Sequence, residues 1–205
     1  MTAVIIANGE IKNYITTRRV LADADLIIAC DGGLAHTHNM GITPHAVIGD
    51  MDSAPPDILH QMQNVTIVPY PTVKNETDLE LALSFAWGHG AVNVRILGGL
   101  GGRTDHALAN LNLLATKPRQ IEIWDEETSI FLINNSLTLP RENYRTLSLI
   151  PLTTEVTGIT TRGLIYPLNQ ETLKIGTSRG ISNEFNEETA TITVNEGLLF
   201  VIRGK

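Results

Sequence analysis

Leu26-Ile27-Ile28-Ala29-Cys30 runs without a polar break into Asp31-Gly32-Gly33. Five consecutive apolar residues are too short for a helix of ordinary length. They predict a strand buried on both faces, as in a parallel sheet covered by helices. The acidic, glycine-rich turn marks the strand's carboxyl end. The pattern recurs outward in both directions. Ala3-Val4-Ile5-Ile6-Ala7 ends at Asn8-Gly9, Ala46-Val47-Ile48 at Gly49-Asp50, and Thr66-Ile67-Val68 at Pro69. Val92 to Leu97 ends at Gly98-Gly99, and Gln120 to Trp124 at Asp125. Strands alternating with helical patterns predict an α/β N-terminal domain with a mostly parallel sheet and flanking helices.

Two helices carry start signals. Thr77 stands three residues before Glu80 in a capping-box pattern, and Leu79, Leu83 and Ala86 follow at helical spacing. Thr104 is read as the cap of a second helix whose buried face is Leu108, Leu111 and Ala115, ended by Lys117-Pro118.

Beyond about residue 135 the pattern changes. Leu137–Leu139, Thr146–Ile150, Glu155–Thr157, Thr172–Ile175, Ala190–Val194 and Leu198–Ile202 are short, rich in Thr and often alternating. They predict an all-β C-terminal sandwich domain, with Asn195-Glu196-Gly197 as a hairpin turn. The expected division is 1–135 and 143–205.

Composition narrows the function. Of 205 residues, 42% are hydrophobic and 18% charged, which suits a globular chain. The formal net charge of −7 speaks against binding a nucleic-acid backbone, which needs an excess of Lys and Arg. Cys30 is the only cysteine, so neither an internal disulfide nor a cysteine-built zinc site is available, which fits a cytoplasmic protein. No run approaches a membrane span, and Met1 to Asn8 read as a strand instead of a signal peptide.

In a parallel sheet, ligands bind beyond the carboxyl ends of the strands. Those ends carry Asp31-Gly32-Gly33, Gly49-Asp50-Met51-Asp52-Ser53 and Gly98-Gly99-Leu100-Gly101-Gly102-Arg103-Thr104-Asp105-His106. In extended chain Asp50 and Asp52 would project to one side. Converging carboxylates repel unless a cation lies between them, and magnesium takes such oxygens together with phosphates. Asp78 either complements its helix dipole or faces the site as metal ligand or proton acceptor, and Asp105 has the same alternatives. Gly99, Gly101 and Gly102 free backbone amides to approach a phosphate, with Arg103 as a forked partner. The P-loop Gly-Lys-Ser/Thr is absent. The dinucleotide fingerprint fails because Arg103 stands where a glycine is required.

These motifs, in this order, together with Asn75-Glu76-Thr77-Asp78-Leu79-Glu80 and Gly180-Ile181-Ser182-Asn183-Glu184-Phe185, resemble those of thiamine pyrophosphokinases. The resemblance spans nearly the whole chain. It implies transfer of the diphosphoryl group of ATP to the hydroxyl of thiamine, giving thiamine diphosphate and AMP. It implies a homodimer with the thiamine site between subunits, using Ser182-Asn183, and magnesium with ATP on the acidic loops. Expected metal ligands are Asp50, Asp52 and Asp78. The residues expected to act in catalysis are Asp52, Asp78, Asp105 and Arg103. Asp31, Gly32, Lys74, Gly99, Gly101, Gly102 and His106 are expected to contact nucleotide or metal. Two positions depart from the pattern. Met51 stands where the family often has an aromatic residue, and no tryptophan follows Trp124. Tyr166 and Phe185 are the candidates to stack on thiamine instead. Competing readings are a pyrophosphokinase for another small alcohol such as a hydroxymethyl pterin, or a non-catalytic nucleotide or thiamine sensor. The four carboxylates Asp50, Asp52, Asp78 and Asp105 favour catalysis.

Overall fold

The computed structural model describes residues 1–118 and 120–205. The chain divides into two compact units, Met1–Leu113 with Ile123–Glu126, and Leu114–Glu122 with Glu127–Lys205.

The first unit holds strands β1 (Thr2–Ile6), β2 (Leu26–Cys30), β3 (Ala46–Gly49), β4 (Thr66–Pro69) and β5 (Asn93–Leu97), and strand β6 (Ile121–Trp124) belongs to it from Ile123 on. Its helices are α1 (Tyr14–Val20), α2 (Gly33–Asn39), α3 (Pro56–Gln61), α4 (Asp78–Gly88) and α5 (Thr104–Leu113). The strands lie in the order β6-β5-β1-β2-β3-β4. β1 pairs in parallel with β2 and β5, β2 with β3, and β3 with β4. The apolar runs become strands because both faces are covered: Ile5, Ile28, Val47, Ile48 and Ile96 are fully buried. β4 is the edge, mostly exposed and closed by Pro69, as an edge strand can be. The order reverses direction at β1, so the turns after β1, β2 and β5 open on one crevice.

α4 starts as its sequence predicts. Thr77 Oγ1 accepts from the Glu80 amide at 3.2 Å, and Leu79, Ala82, Leu83 and Ala86 are buried. α5 departs from its reading. The helix begins at Thr104 itself and Asn110 is its buried residue, whereas Leu108 is 59% exposed and Ala115 is exposed. The reason is a single buried amide: Asn110 Nδ2 donates to the Gly99 carbonyl at 2.8 Å. A polar residue therefore holds the inward face, which shifts the helix's phase from the apolar stripe. Among the described residues no helix is long and apolar enough to cross a membrane.

The second unit is all β: β7 (Thr128–Ile133), β8 (Ser136–Pro140), β9 (Thr146–Pro151), β10 (Glu155–Arg162), β11 (Glu171–Lys174), β12 (Asn183–Glu184), β13 (Thr189–Thr193) and β14 (Leu199–Gly204). One set runs β12-β9-β14-β7 and the other β11-β10-β13-β8, each with antiparallel pairing. Leu147, Leu149, Leu199 and Val201 from the first share one core with Leu139, Val156, Ile159, Leu173 and Ile192 from the second. That is the expected sandwich. The expected hairpin at Asn195–Gly197 is not one. β13 pairs with β8 and β10, while β14 pairs with β7 and β9, so the turn carries the chain from one sheet to the other. β7 and the two-residue β12 were not foreseen from the sequence.

Candidate active site

The turns after β2 and β3 and the start of α4 bring three carboxylates together. Asp31, Asp50 and Asp78 each offer an oxygen, and these lie within 4.8 Å of one another. Asp31 is buried and sits at φ +44°, a left-handed turn between β2 and α2 that non-glycine residues adopt only under constraint. Its carboxylate accepts from the Ser53 amide at 3.1 and 3.3 Å. Burial raises the Asp31 pKa, Ser53 pulls it back, and the neighbouring Asp52 carboxylate raises it again.

Gly49 makes the convergence possible. It sits at φ +148°, and a Cβ there would come 3.0 Å from Asp31 Cβ and 3.1 Å from Asp78 Cγ. Lys74 answers the charge: its Nζ lies 3.0 Å from Asp78 Oδ1 and 3.8 Å from Asp50 Oδ2. Lys74 is the charged partner of that buried Asp78 oxygen. Burial works against the Lys74 charge, but Asp78, Asp50 and Asp31 together raise its pKa. Three hard oxygens and an open space kept by a glycine fit a divalent cation of the magnesium class. Cys30 lies beneath, its thiol near the Asp78 carbonyl at 3.7 Å. Burial, then Asp78 and Asp31, push that thiol far up, so it stays a neutral packing group.

The chain between Asp50 and Asp52 is not extended. Met51 turns the chain at φ +66° and packs against Ala29, Leu34, Val47 and Ala54. Asp50 is sent toward Asp31 and Asp78. Asp52 stands beside Asp31 and accepts from Ser53 Oγ at 2.9 Å, while its amide donates to Asp50 Oδ1 at 3.3 Å. Met51 is thus the apolar anchor of an otherwise polar loop.

A second wall is backbone. Gly9 N donates to Gly98 O at 2.9 Å, and a Cβ on Gly9 would lie 2.4 Å from that oxygen. Gly98, Gly101 and Gly102 take φ of +64°, +81° and +69°, which only glycine adopts freely. Gly32 caps α2 and packs on the Asn8 side chain, so a Cβ would reach Asn8 at 2.4 Å. Arg103 and Asp105 stand apart from the acidic cluster. They pair with each other at 2.7 Å on the surface, and Arg103 holds the Asp105 carboxyl down at about 2. His106 donates its amide to Asp105 Oδ1 at 2.9 Å and is exposed.

In the second unit Leu149, Tyr166, Leu168, Arg179, Ile181 and Asn183 line a cavity of about 160 Å³. Ser182 sits at φ +59°, its amide donating to Ser148 Oγ at 2.9 Å. Asn183 is buried and bonded to the Tyr166 backbone. Of the two stacking candidates, Phe185 is buried in the core, and Tyr166 is 68% exposed. The sequence reading missed Asn110, which fixes Gly99 from behind. Its only signal was an asparagine set among the apolar residues of a helix, a signal it shares with the exposed Asn112.

Residues 17–124 match the family model described as thiamin pyrophosphokinase, catalytic domain, and residues 134–199 the model described as thiamin pyrophosphokinase, vitamin B1 binding domain. A thiamine pyrophosphokinase of Bacillus subtilis is 29% identical over 211 residues, covering 99% of each chain. The crystal structure of thiamine pyrophosphokinase from Bacillus subtilis superposes with a TM-score of 0.89 at 28% identity, covering 100% of this chain and 99% of that one. The corresponding structure from Geobacillus thermodenitrificans gives 0.89 at 28%, covering 100% and 98%.

Proposed function

Because this chain belongs to the thiamin pyrophosphokinase family, we propose that it moves the diphosphoryl group of ATP onto the hydroxyl of thiamine, releasing AMP. The observation that carries the reading is the meeting of Asp31, Asp50 and Asp78 around Gly49. These three would hold magnesium, with Asp52 just outside them. Bound there, the ion would offset charge on the phosphate oxygens.

The chain's own groups do the rest by positioning, since phosphoryl transfer asks little covalent work of the protein. Lys74 neutralises the cluster and is placed to turn to a phosphate. The amides of Gly99, Gly101 and Gly102 would serve as a phosphate cradle, with Asn110 holding Gly99 in place. Arg103, Asp105 and His106 lie at the start of α5 as an outer group for the nucleotide. Asp78, paired with Lys74, is suited to take part in aligning the thiamine hydroxyl. Asn183 lines the cavity and Ser182 precedes it, both in the segment matching the vitamin B1 binding model. Ile165, Tyr166 and Ile181 leave apolar surface beside it, as a homodimer contact would require. The division 1–135 and 143–205 then separates nucleotide from vitamin binding. The lone buried Cys30 accords with a reducing, cytoplasmic setting.

The test is incubation with ATP, magnesium and thiamine, followed by quantification of AMP and thiamine diphosphate. Equal yields of both are expected. Formation of ADP instead would overturn diphosphoryl transfer. Tight thiamine binding with no product would favour the sensor.

A further inference from the structure

Asn183 is buried, with 7% of its surface exposed, yet its side chain spends itself on another part of the chain. Its Oδ1 accepts from the Tyr166 amide at 3.0 Å and from the Glu184 amide at 2.9 Å. Its Nδ2 donates to the Tyr166 carbonyl at 2.7 Å. An asparagine amide offers two acceptor sites and two donors, so three of four are committed to backbone.

The reason lies in the local ladder. Leu164 bridges Phe185, and the Ile165 amide donates to Glu184 O at 3.0 Å. One step further, Tyr166 would need a backbone partner, but Ser182 at φ +59° turns that strand away. The Asn183 amide takes the missing partner's place and satisfies both polar backbone groups of Tyr166. Tyr166 therefore has a fixed backbone under a ring that is 68% exposed. Together with Pro167 it forms one side of the 160 Å³ cavity.

We propose that Asn183 is a positioning residue: it sets the Tyr166–Pro167 wall of this cavity for the thiamine rings, and its effect on thiamine runs through Tyr166. This rests on the thiamine reading above. A pre-set aromatic wall spares the ligand the cost of ordering a strap on binding.

The experiment is a double-mutant cycle with Asn183→Ala and Tyr166→Ala, read as KM for thiamine, KM for ATP and kcat, alongside amide hydrogen exchange at Tyr166. Each single variant is expected to raise KM for thiamine about tenfold, the worth of one aromatic contact, with KM for ATP unchanged. The double variant should be little worse than Tyr166→Ala, because the ring whose backbone Asn183 holds is then gone. Additive losses would mean that Asn183 meets the ligand directly and would overturn the proposal. Exchange at the Tyr166 amide should quicken at least tenfold in Asn183→Ala, and unchanged exchange would overturn the clamp itself. If Asn183→Ala fails to fold, Asn183→Asp keeps the shape and the acceptor but sets an oxygen against the Tyr166 carbonyl, and carries the same expectations. A wild-type enzyme with slow exchange at Tyr166 but no thiamine turnover would remove the function reading and leave the clamp standing.

Discussion

Lys74 Nζ lies 3.0 Å from Asp78 Oδ1, with Lys74 in the loop before α4 and Asp78 at the helix's first position. The side chains are 12% and 25% exposed, so the pair is screened less than a surface bridge. Lys74 is the ammonium that offsets three crowded carboxylates before any metal arrives. Lys74→Met should cost about 1–2 kcal/mol in metal-free buffer, as a partly buried charge loses its partner. Magnesium should return much of that loss, so the variant's melting temperature should rise more on adding magnesium than the wild type's. Equal increments would count against Lys74 as the resident counter-charge.

Gly49 is the narrowest constraint on the cluster. Gly49→Ala places a Cβ 3.0–3.2 Å from atoms of Asp31 and Asp78 on a backbone that resists side chains. The strain should cost about 1–3 kcal/mol, and diphosphoryl transfer should fall disproportionately. Thermal melts and AMP release measured on one preparation separate the two effects. Normal turnover in a folded variant would show that the carboxylates need not stand where they do.

The carboxylates divide into two groups, and substitution should show it. Asp50→Asn and Asp78→Asn should each lower kcat/KM by about 100- to 1,000-fold, the scale of losing one preorganised charge contact. Asp52→Asn should cost less, because Asp52 faces Ser53 outside the trio. Asp105→Asn should act mainly on KM for ATP by freeing Arg103. A larger loss at Asp52 than at Asp50 would reverse this assignment.

His36 carries a pH dependence. A carbonyl only accepts, so His36 Nε2–H donates to Gly9 O at 2.9 Å, and Nδ1 then accepts from the Tyr14 hydroxyl at 2.9 Å. Burial holds the His36 pKa below its ordinary 6.5 despite the Gly9 contact. The unfolded chain therefore takes up its proton first as pH falls. Stability drops below about pH 6.5 and levels off beneath the folded pKa. Melting curves between pH 7.5 and 5 should show a smaller decline for His36→Gln than for the wild type. Parallel declines would exclude His36 as the source.

Much of the first unit was legible because parallel strands buried on both faces leave unbroken apolar runs. Leu26–Cys30 was read to the residue, and Asn93–Leu97 lost only Val92. The failures are local and physical. Asn110 faces inward to hold Gly99, and apolar periodicity cannot register a buried amide. Asn195–Gly197 has hairpin chemistry, but turn residues do not say whether the next strand joins the same sheet. β12 has two residues, too few for any pattern. In the site, the residue types were plain and their partners were not. Asp31, Asp50 and Asp78 come from two turns and a helix start, and Met51's positive φ replaces the extended chain assumed between Asp50 and Asp52.

Three like charges within 4.8 Å, against one ammonium, also set a limit on evolution and engineering. The crowding that suits the cluster to a cation leaves the empty fold frustrated there, so selection for heat resistance alone would erode it. Asp31→Asn relieves that repulsion and keeps an oxygen for the Ser53 amide. It should melt higher than the wild type while losing turnover, a gain in robustness made at the expense of chemistry.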